Sequence, residues 1–334
     1  MTGAVVTAWS AISACGVGRA ALRAGQARPT RVDGGPGDEA FLAADFVVDE
    51  ALGTKGTGSM DRSSALGIGV VGDVLAGLAV DERTGVVLGT TSGSAQTQLE
   101  FTRDSLTRRK PYFVNPATMP FALMNSAAAQ AAIWHKLTGP NSTIAGGRLS
   151  GLGVLRYGTR LLAAGRASGV VCGAVEEYSA ARAWLEEHRG RRGSLLGEGA
   201  AAVFVEPAGS PRPVLAEVLG IETRVAVDGD PEAALASGVR RVLERAAIEA
   251  GDVTTVALSA PGGLLGEAER AVADAAFSGL TAVVDPAEAV GDVGAAIGMF
   301  QVVAVLDRPG FALVTALDDD GTVGCGLLRV PDVS

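Results

Sequence analysis

The chain has 334 residues, 48% of them hydrophobic and 19% charged, enough apolar material for a sizeable core and too much for a disordered chain. Its net charge of −9 argues against a nucleic-acid partner, and its three cysteines (Cys15, Cys172, Cys325), far apart and without a CxxC pair, exclude a disulfide scaffold or zinc ribbon. No uncharged apolar run reaches the ~18 residues of a membrane helix, and no basic residue precedes the apolar opening, so we expect a cytoplasmic protein with no membrane partner.

Short β-rich runs alternate with Ala-rich helical stretches along the chain. Ala4–Trp9 reads as a strand, residues 30–58 as a Gly- and charge-rich surface segment, and Ser59–Leu78 as a helix. Strands follow at Gly85–Gly89, Val170–Gly173 and Ala201–Glu206, with helices over Asn125–Leu137 and Ser150–Ala164. Glu206 to Pro213 is a Pro/Gly/Ser linker, which divides the chain into halves at 1–207 and 212–334. Beyond it come runs at Val214–Gly220, Val256–Ser259, Val283–Asp285, Val293–Leu306, Phe311–Leu317 and Cys325–Val330, with helices over Pro231–Ala250 and Leu265–Phe277. Apolar strands alternating with helices predict a layered α/β fold.

Charge is unevenly spread. Residues 1–207 hold 20 basic and 18 acidic side chains, whereas residues 208–334 hold 8 and 19. The densest basic stretch, 101–170, has nine Lys or Arg against the single acid Asp104. Arg103, Arg108, Arg109 and Lys110 are therefore candidates for docking an acidic protein partner, with a merely solvated face as the alternative.

Several motifs occur together in one order. They are Val5-Val6-Thr7-Ala8-Trp9-Ser10, the Gly-rich strand exit Gly85–Gly93, and Val114-Asn115-Pro116 with Met119-Pro120 and Asn125–Ile133. Gly139-Pro140-Asn141-Ser142-Thr143-Ile144, the stretch Gly165–Glu176 and Gly197-Glu198-Gly199-Ala200 follow. As an ordered set these resemble the β-ketoacyl synthase family, which has the thiolase fold. The resemblance implies a five-layer α-β-α-β-α sandwich of two pseudo-symmetric halves, normally dimeric. It also implies condensation of acyl and malonyl thioesters on an acyl carrier protein. That chemistry needs a cysteine thiolate at a helix N-terminus and two histidines donating to the thioester oxygen.

All three catalytic slots are changed. Arg148 stands in the cysteine slot, Pro261 in that of the first histidine and Asp292 in that of the second, while Ala287 or Glu288 replaces the family's lysine. The two histidines, His135 and His188, lie far from these slots. An arginine at a helix N-terminus opposes the positive potential there, so Arg148 is expected to need a carboxylate, with Asp292 the first candidate and Glu198 or solvent the alternatives. Ser150 lies two residues beyond Arg148 in G-x-x-S-G rather than G-x-S-x-G spacing, and Cys172 reads as an inert buried thiol. No metal cluster or nucleotide loop is visible, and no cofactor is expected.

Met119, Phe121, Leu123, Met124 and Asn125 fall in the family's dimer-interface segment, where side chains face the partner's acyl tunnel; interface or core packing is the simpler alternative. The resemblance thus points to a non-catalytic subunit of the chain-length-factor type. Such a subunit pairs as a heterodimer with a catalytic ketosynthase, completes its tunnel and sets polyketide or polyene chain length on the acyl carrier protein. The alternatives are a stand-alone thiolase-fold acyl-thioester hydrolase or acyltransferase using Ser150, Arg148 and Asp292, or a carrier-protein-binding homodimer.

Overall fold

In the computed structural model, which describes residues 3–191 and 195–332, the alternating pattern becomes strands and helices repeated in two halves; the outer ends of both predicted halves and residues 192–194 lie outside the described residues. The first half contains β1 (Ala4–Ser13), α1 (Arg62–Leu75), β2 (Thr84–Thr90), α2 (Ala95–Thr107), α3 (Ser126–His135) and β3 (Asn141–Ala145). It continues with α4 (Ser150–Ala163), β4 (Gly169–Glu176), α5 (Ala180–His188) and β5 (Gly199–Pro207). The second contains β6 (Ala216–Val225), α6 (Pro231–Ala246), β7 (Val253–Ala257), α7 (Gly263–Ala276), β8 (Ala282–Val284), α8 (Ile297–Val305), β9 (Gly310–Leu317) and β10 (Thr322–Val330).

Strand order carries the symmetry. The first half runs β3-β2-β4-β5-β1 and the second β8-β7-β9-β10-β6, the same order displaced by five. Directions match as well: β2 is parallel to β3 and β4, whereas β4–β5 and β5–β1 are antiparallel. Likewise β7 is parallel to β8 and β9, and β9–β10 and β10–β6 are antiparallel. The two sheets are stitched into one ladder where β1 pairs antiparallel with β6 through Ala4, Val5 and Val6.

Alternation along each strand builds the layers. On β5, Ala201, Val203 and Val205 face a central core with α4 and α8, while Ala200, Ala202 and Phe204 face α1 and α3. The second half mirrors this, sending Val314 inward and Leu313 toward α6 and α7. The result is the five-layer α/β thiolase-like sandwich, with α4 and α8 as the middle layer. Helix α8 is apolar nearly all round, as a helix buried between two sheets must be. Side-chain caps start α1, α2 and α6, from Asp61, Ser94 and Asp230 respectively.

Among the elements not anticipated, two are instructive. Helix α2 buries only Ala95 and so shows no apolar stripe, and β3 is a polar edge strand with no fully buried residue.

Candidate functional site

The site forms where α4 begins. Strand β3 ends at Ala145, and a 3-10 turn over Gly147–Leu149 leads into α4. This places Arg148 at the helix opening, with its side chain 1% exposed. Asp292 reaches the same point from the loop before α8, and Arg148 Nη2 donates to Asp292 Oδ2. Arg148 Nη1 also donates to the carbonyl of Ser259 at 3.3 Å, while Nε is buried and unpartnered. The second oxygen of Asp292 accepts the Gly294 N–H at 2.9 Å. Burial opposes the charge on Asp292, but the Arg148 and Arg182 guanidiniums outweigh it and hold the carboxyl below its usual range.

The third slot does not join this pair. Pro261 follows Ser259 by two residues on the loop into α7, and it brings no polar side-chain atom. Ser259 is itself committed, its N–H and hydroxyl both donating to buried Glu269 at 2.9 and 2.8 Å. Ser150 is fully buried, with its hydroxyl accepting from the Gly146 N–H at 3.0 Å and donating to the Thr90 carbonyl at 3.3 Å. No base adjoins it. His135 contacts the Ile68 carbonyl at the end of α3, and His188 contacts the Trp184 carbonyl at the end of α5.

Several residues at the site were not singled out from the sequence. Arg182 donates to the carbonyls of Glu177, Gly197 and Asp292 at 2.7–2.8 Å and so ties three loops together. Glu176 accepts from the N–H groups of Thr91 and Ala295 at 3.0 and 3.2 Å, and burial pushes its carboxyl up. Burial, then the charge of Asp61, raises neighbouring Glu177 to about 7. Asp318 accepts the Arg148 backbone N–H at 2.7 Å and is paired with Arg191. Their partners lie up to 170 residues away in sequence, so no local pattern announces them. Glu198 holds Arg62 at 2.7 Å and accepts the Ala43 N–H, leaving Arg148 to Asp292.

The cysteines are inert by environment. Burial raises the thiols of Cys172 and half-buried Cys15 and pushes Cys325 up to about 12. Among the described residues no group of three or more His, Cys, Asp or Glu could hold a metal ion, and no helix is long and apolar enough to cross a membrane.

The interface segment divides. Met119, Leu123 and Met124 are 46%, 45% and 50% exposed, and Asn125 is exposed at the start of α3. Phe121 takes the packing alternative: at 8% exposure it is turned into its own chain, where the 3-10 helix Pro116–Ala122 that carries it packs on α2 and α3. Leu99, Leu106, Tyr112 and Ile133 extend the exposed apolar face. The basic candidates Arg103, Arg108, Arg109 and Lys110 are all exposed at the end of α2. Arg108 is drawn to Asp104 at 2.6 Å, Arg103 lies 3.8 Å from the same carboxylate, and Lys110 sits over the Tyr112 ring.

Residues 10–209 match the family model of the β-ketoacyl synthase N-terminal domain. The 3-oxoacyl-[acyl-carrier-protein] synthase 2 of Vibrio harveyi is 28% identical over 196 residues, 50% of this chain and 46% of that protein. The chain thus spans about half the length of that curated relative. The solved ishigamide ketosynthase/chain length factor superposes with a TM-score of 0.92 at 39% identity, covering 98% of this chain and 99% of that one. A type II polyketide synthase acyl-carrier protein complexed with its ketosynthase bound to the hexaketide (AntDE:AntF) matches in fold, with a TM-score of 0.81, 15% identity and coverage of 98% and 99%.

Proposed function

The chain belongs to the β-ketoacyl synthase family, and from that premise we propose that it is a non-catalytic ketosynthase-like subunit of the chain-length-factor type. It pairs with an active ketosynthase, completes that partner's acyl tunnel and sets chain length on an acyl carrier protein. The observation that carries this reading is the Arg148–Asp292 pair: opposite charges neutralise each other in the protein interior, at the residues that the resemblance aligns with two of the family's catalytic slots. A guanidinium held there is no nucleophile, and Asp292 held ionised cannot donate a proton to a thioester oxygen.

The rest of the reading concerns what survives. An exposed apolar face on α2, the Pro116–Ala122 turn and α3 offers area to bury against a partner. Loss of chemistry beside a kept interface is what a subunit retains when its partner brings the cysteine and histidines. Met119, Leu123 and Met124 are the side chains available to the partner's tunnel, and Arg109 and Lys110 are the basic groups offered to an acidic carrier protein. The likeness to a ketosynthase/chain length factor at 39% identity supports this assignment.

The test is native mass spectrometry of the chain co-expressed with the ketosynthase encoded nearest to it. A stable 1:1 heterodimer is expected. A homodimer that ignores the ketosynthase would overturn the proposal.

A further inference from the structure

The opening of α4 faces a cavity of about 420 Å³ lined by Thr91, Gly146, Gly147, Arg189, Arg191 and the run Asp318–Asp320. By elementary electrostatics such a place favours an anion. The Arg148 N–H, in the 3-10 turn that leads into α4, is offered beside it, and two guanidiniums stand at its wall. The structure already supplies the anion. Asp318 Oδ2 accepts the Arg148 N–H at 2.7 Å, while Oδ1 is held by Arg191 Nη2 and accepts the Asp319 N–H at 2.8 Å.

Three further features make this a built arrangement. Asp318 follows β9 directly, and the turn to β10 is closed by its N–H to the Thr322 carbonyl at 2.9 Å, so the carboxylate is delivered on a rigid hairpin. Gly147 has φ of +52°, and a Cβ built there would overlap the Asp318 carboxylate, so a residue without a side chain is what lets the carboxylate reach the helix. Arg191 is fastened in turn by Glu186 at 3.2 Å and by Asp319. Partial burial disfavours its charge, but the hydrogen bond to Asp319 and the charges of Asp318 and Glu186 prevail and raise its pKa.

We propose that Asp318 is a built-in anion that occupies the Arg148 N–H at the opening of α4, with Arg191 as its clasp, so that this donor is closed to external carboxylate, phosphate or thioester oxygens. This closure is separate from the loss of the nucleophile, and it holds whichever partner the chain has. It means that restoring a cysteine at position 148 alone would not restore a working site, because the N–H that would steady a thioester oxygen is already taken.

The test is chemical rescue of Asp318→Ala by formate, read by thermal unfolding and by the NMR shift of the Arg148 amide. The variant is expected to lose about 5 °C in Tm, as for loss of charge-assisted hydrogen bonds. Formate should recover a saturable part of that loss and move the Arg148 amide resonance, while chloride at equal ionic strength does neither and the unsubstituted protein is insensitive. Equal responses to formate and chloride, or an equal response in the unsubstituted protein, would overturn the proposal. If alanine prevents folding, Asp318→Ser suits the hairpin turn, also empties the site, and is read in the same way.

Discussion

Arg148 is a large charged side chain that is almost fully buried, and its stability depends on one carboxylate. Taking Asp292 away leaves Arg148 without its carboxylate in the interior, and taking Arg148 away leaves Asp292 facing only the charges of Arg182 and Arg191. Arg148→Ala or Asp292→Ala should each cost about 3–5 kcal/mol in urea unfolding, whereas Arg148→Met combined with Asp292→Leu should recover most of that loss. The pH dependence follows from the sign of the shift at Asp292. Its folded pKa is depressed, so the pair's contribution is present above the usual carboxylate range and fades as pH falls through the depressed value. The double variant should lack that acid limb, and a single variant as stable as the unsubstituted protein would show that the pair is not coupled. At this scale the sequence offered Arg148 and Asp292 as partners, because each sits in a local motif frame, and the structure pairs them. The sequence did not show Arg182, Arg191 or Asp318, whose roles arise only from contacts across the fold. The Asp318-Asp319-Asp320 run was visible, but three acids in a turn have no spacing that distinguishes an internal anion from a solvated loop.

Between elements, one close backbone-to-backbone constraint is the crossing of α4 and α8 in the middle layer. A Cβ on Gly151 would stand 2.7 Å from the Gly298 Cα, and one on Gly298 would stand 3.0 Å from the Gly151 Cα. The obstacle is backbone, which cannot turn aside as a side chain can. Gly298→Ala should therefore cost about 1–3 kcal/mol through overpacking, while Gly58→Ala, with nothing within 4 Å, should leave Tm unchanged. Equal Tm values for the two variants would mean that the crossing yields. Buried elements such as α1, α4 and β4 were legible because their apolar residues repeat with helix or strand period. Helix α2 was not, since Gln, Thr and charged residues dominate it and its few apolar side chains, Leu99 and Leu106 among them, point outward. Phe121 shows the opposite limit. An aromatic among exposed neighbours reads as part of an interface, yet the turn that carries it rotates it inward.

For the whole molecule, duplicated strand order implies two equivalent helix openings in the middle layer, at α4 and at α8. The opening of α4 carries two ion pairs, Arg148–Asp292 and Asp318–Arg191, and on our proposal neither leaves it free for chemistry. A heterodimer with a ketosynthase would then have one working elbow rather than two, and all acyl transfer would pass through the partner. Incubating the co-expressed complex with an acyl carrier protein donor and separating the subunits by denaturing mass spectrometry should show one acyl group on the ketosynthase and none here. An acyl group on this chain would contradict the division of labour. In the same complex, Met119→Trp or Met124→Trp should shorten the product without altering acyl loading, because these half-exposed side chains can enter a partner's tunnel. Phe121→Ala should instead lower Tm, its ring being buried within its own chain. Chain length and loading would thus respond to different residues on different subunits, a separation that a single catalytic chain could not produce.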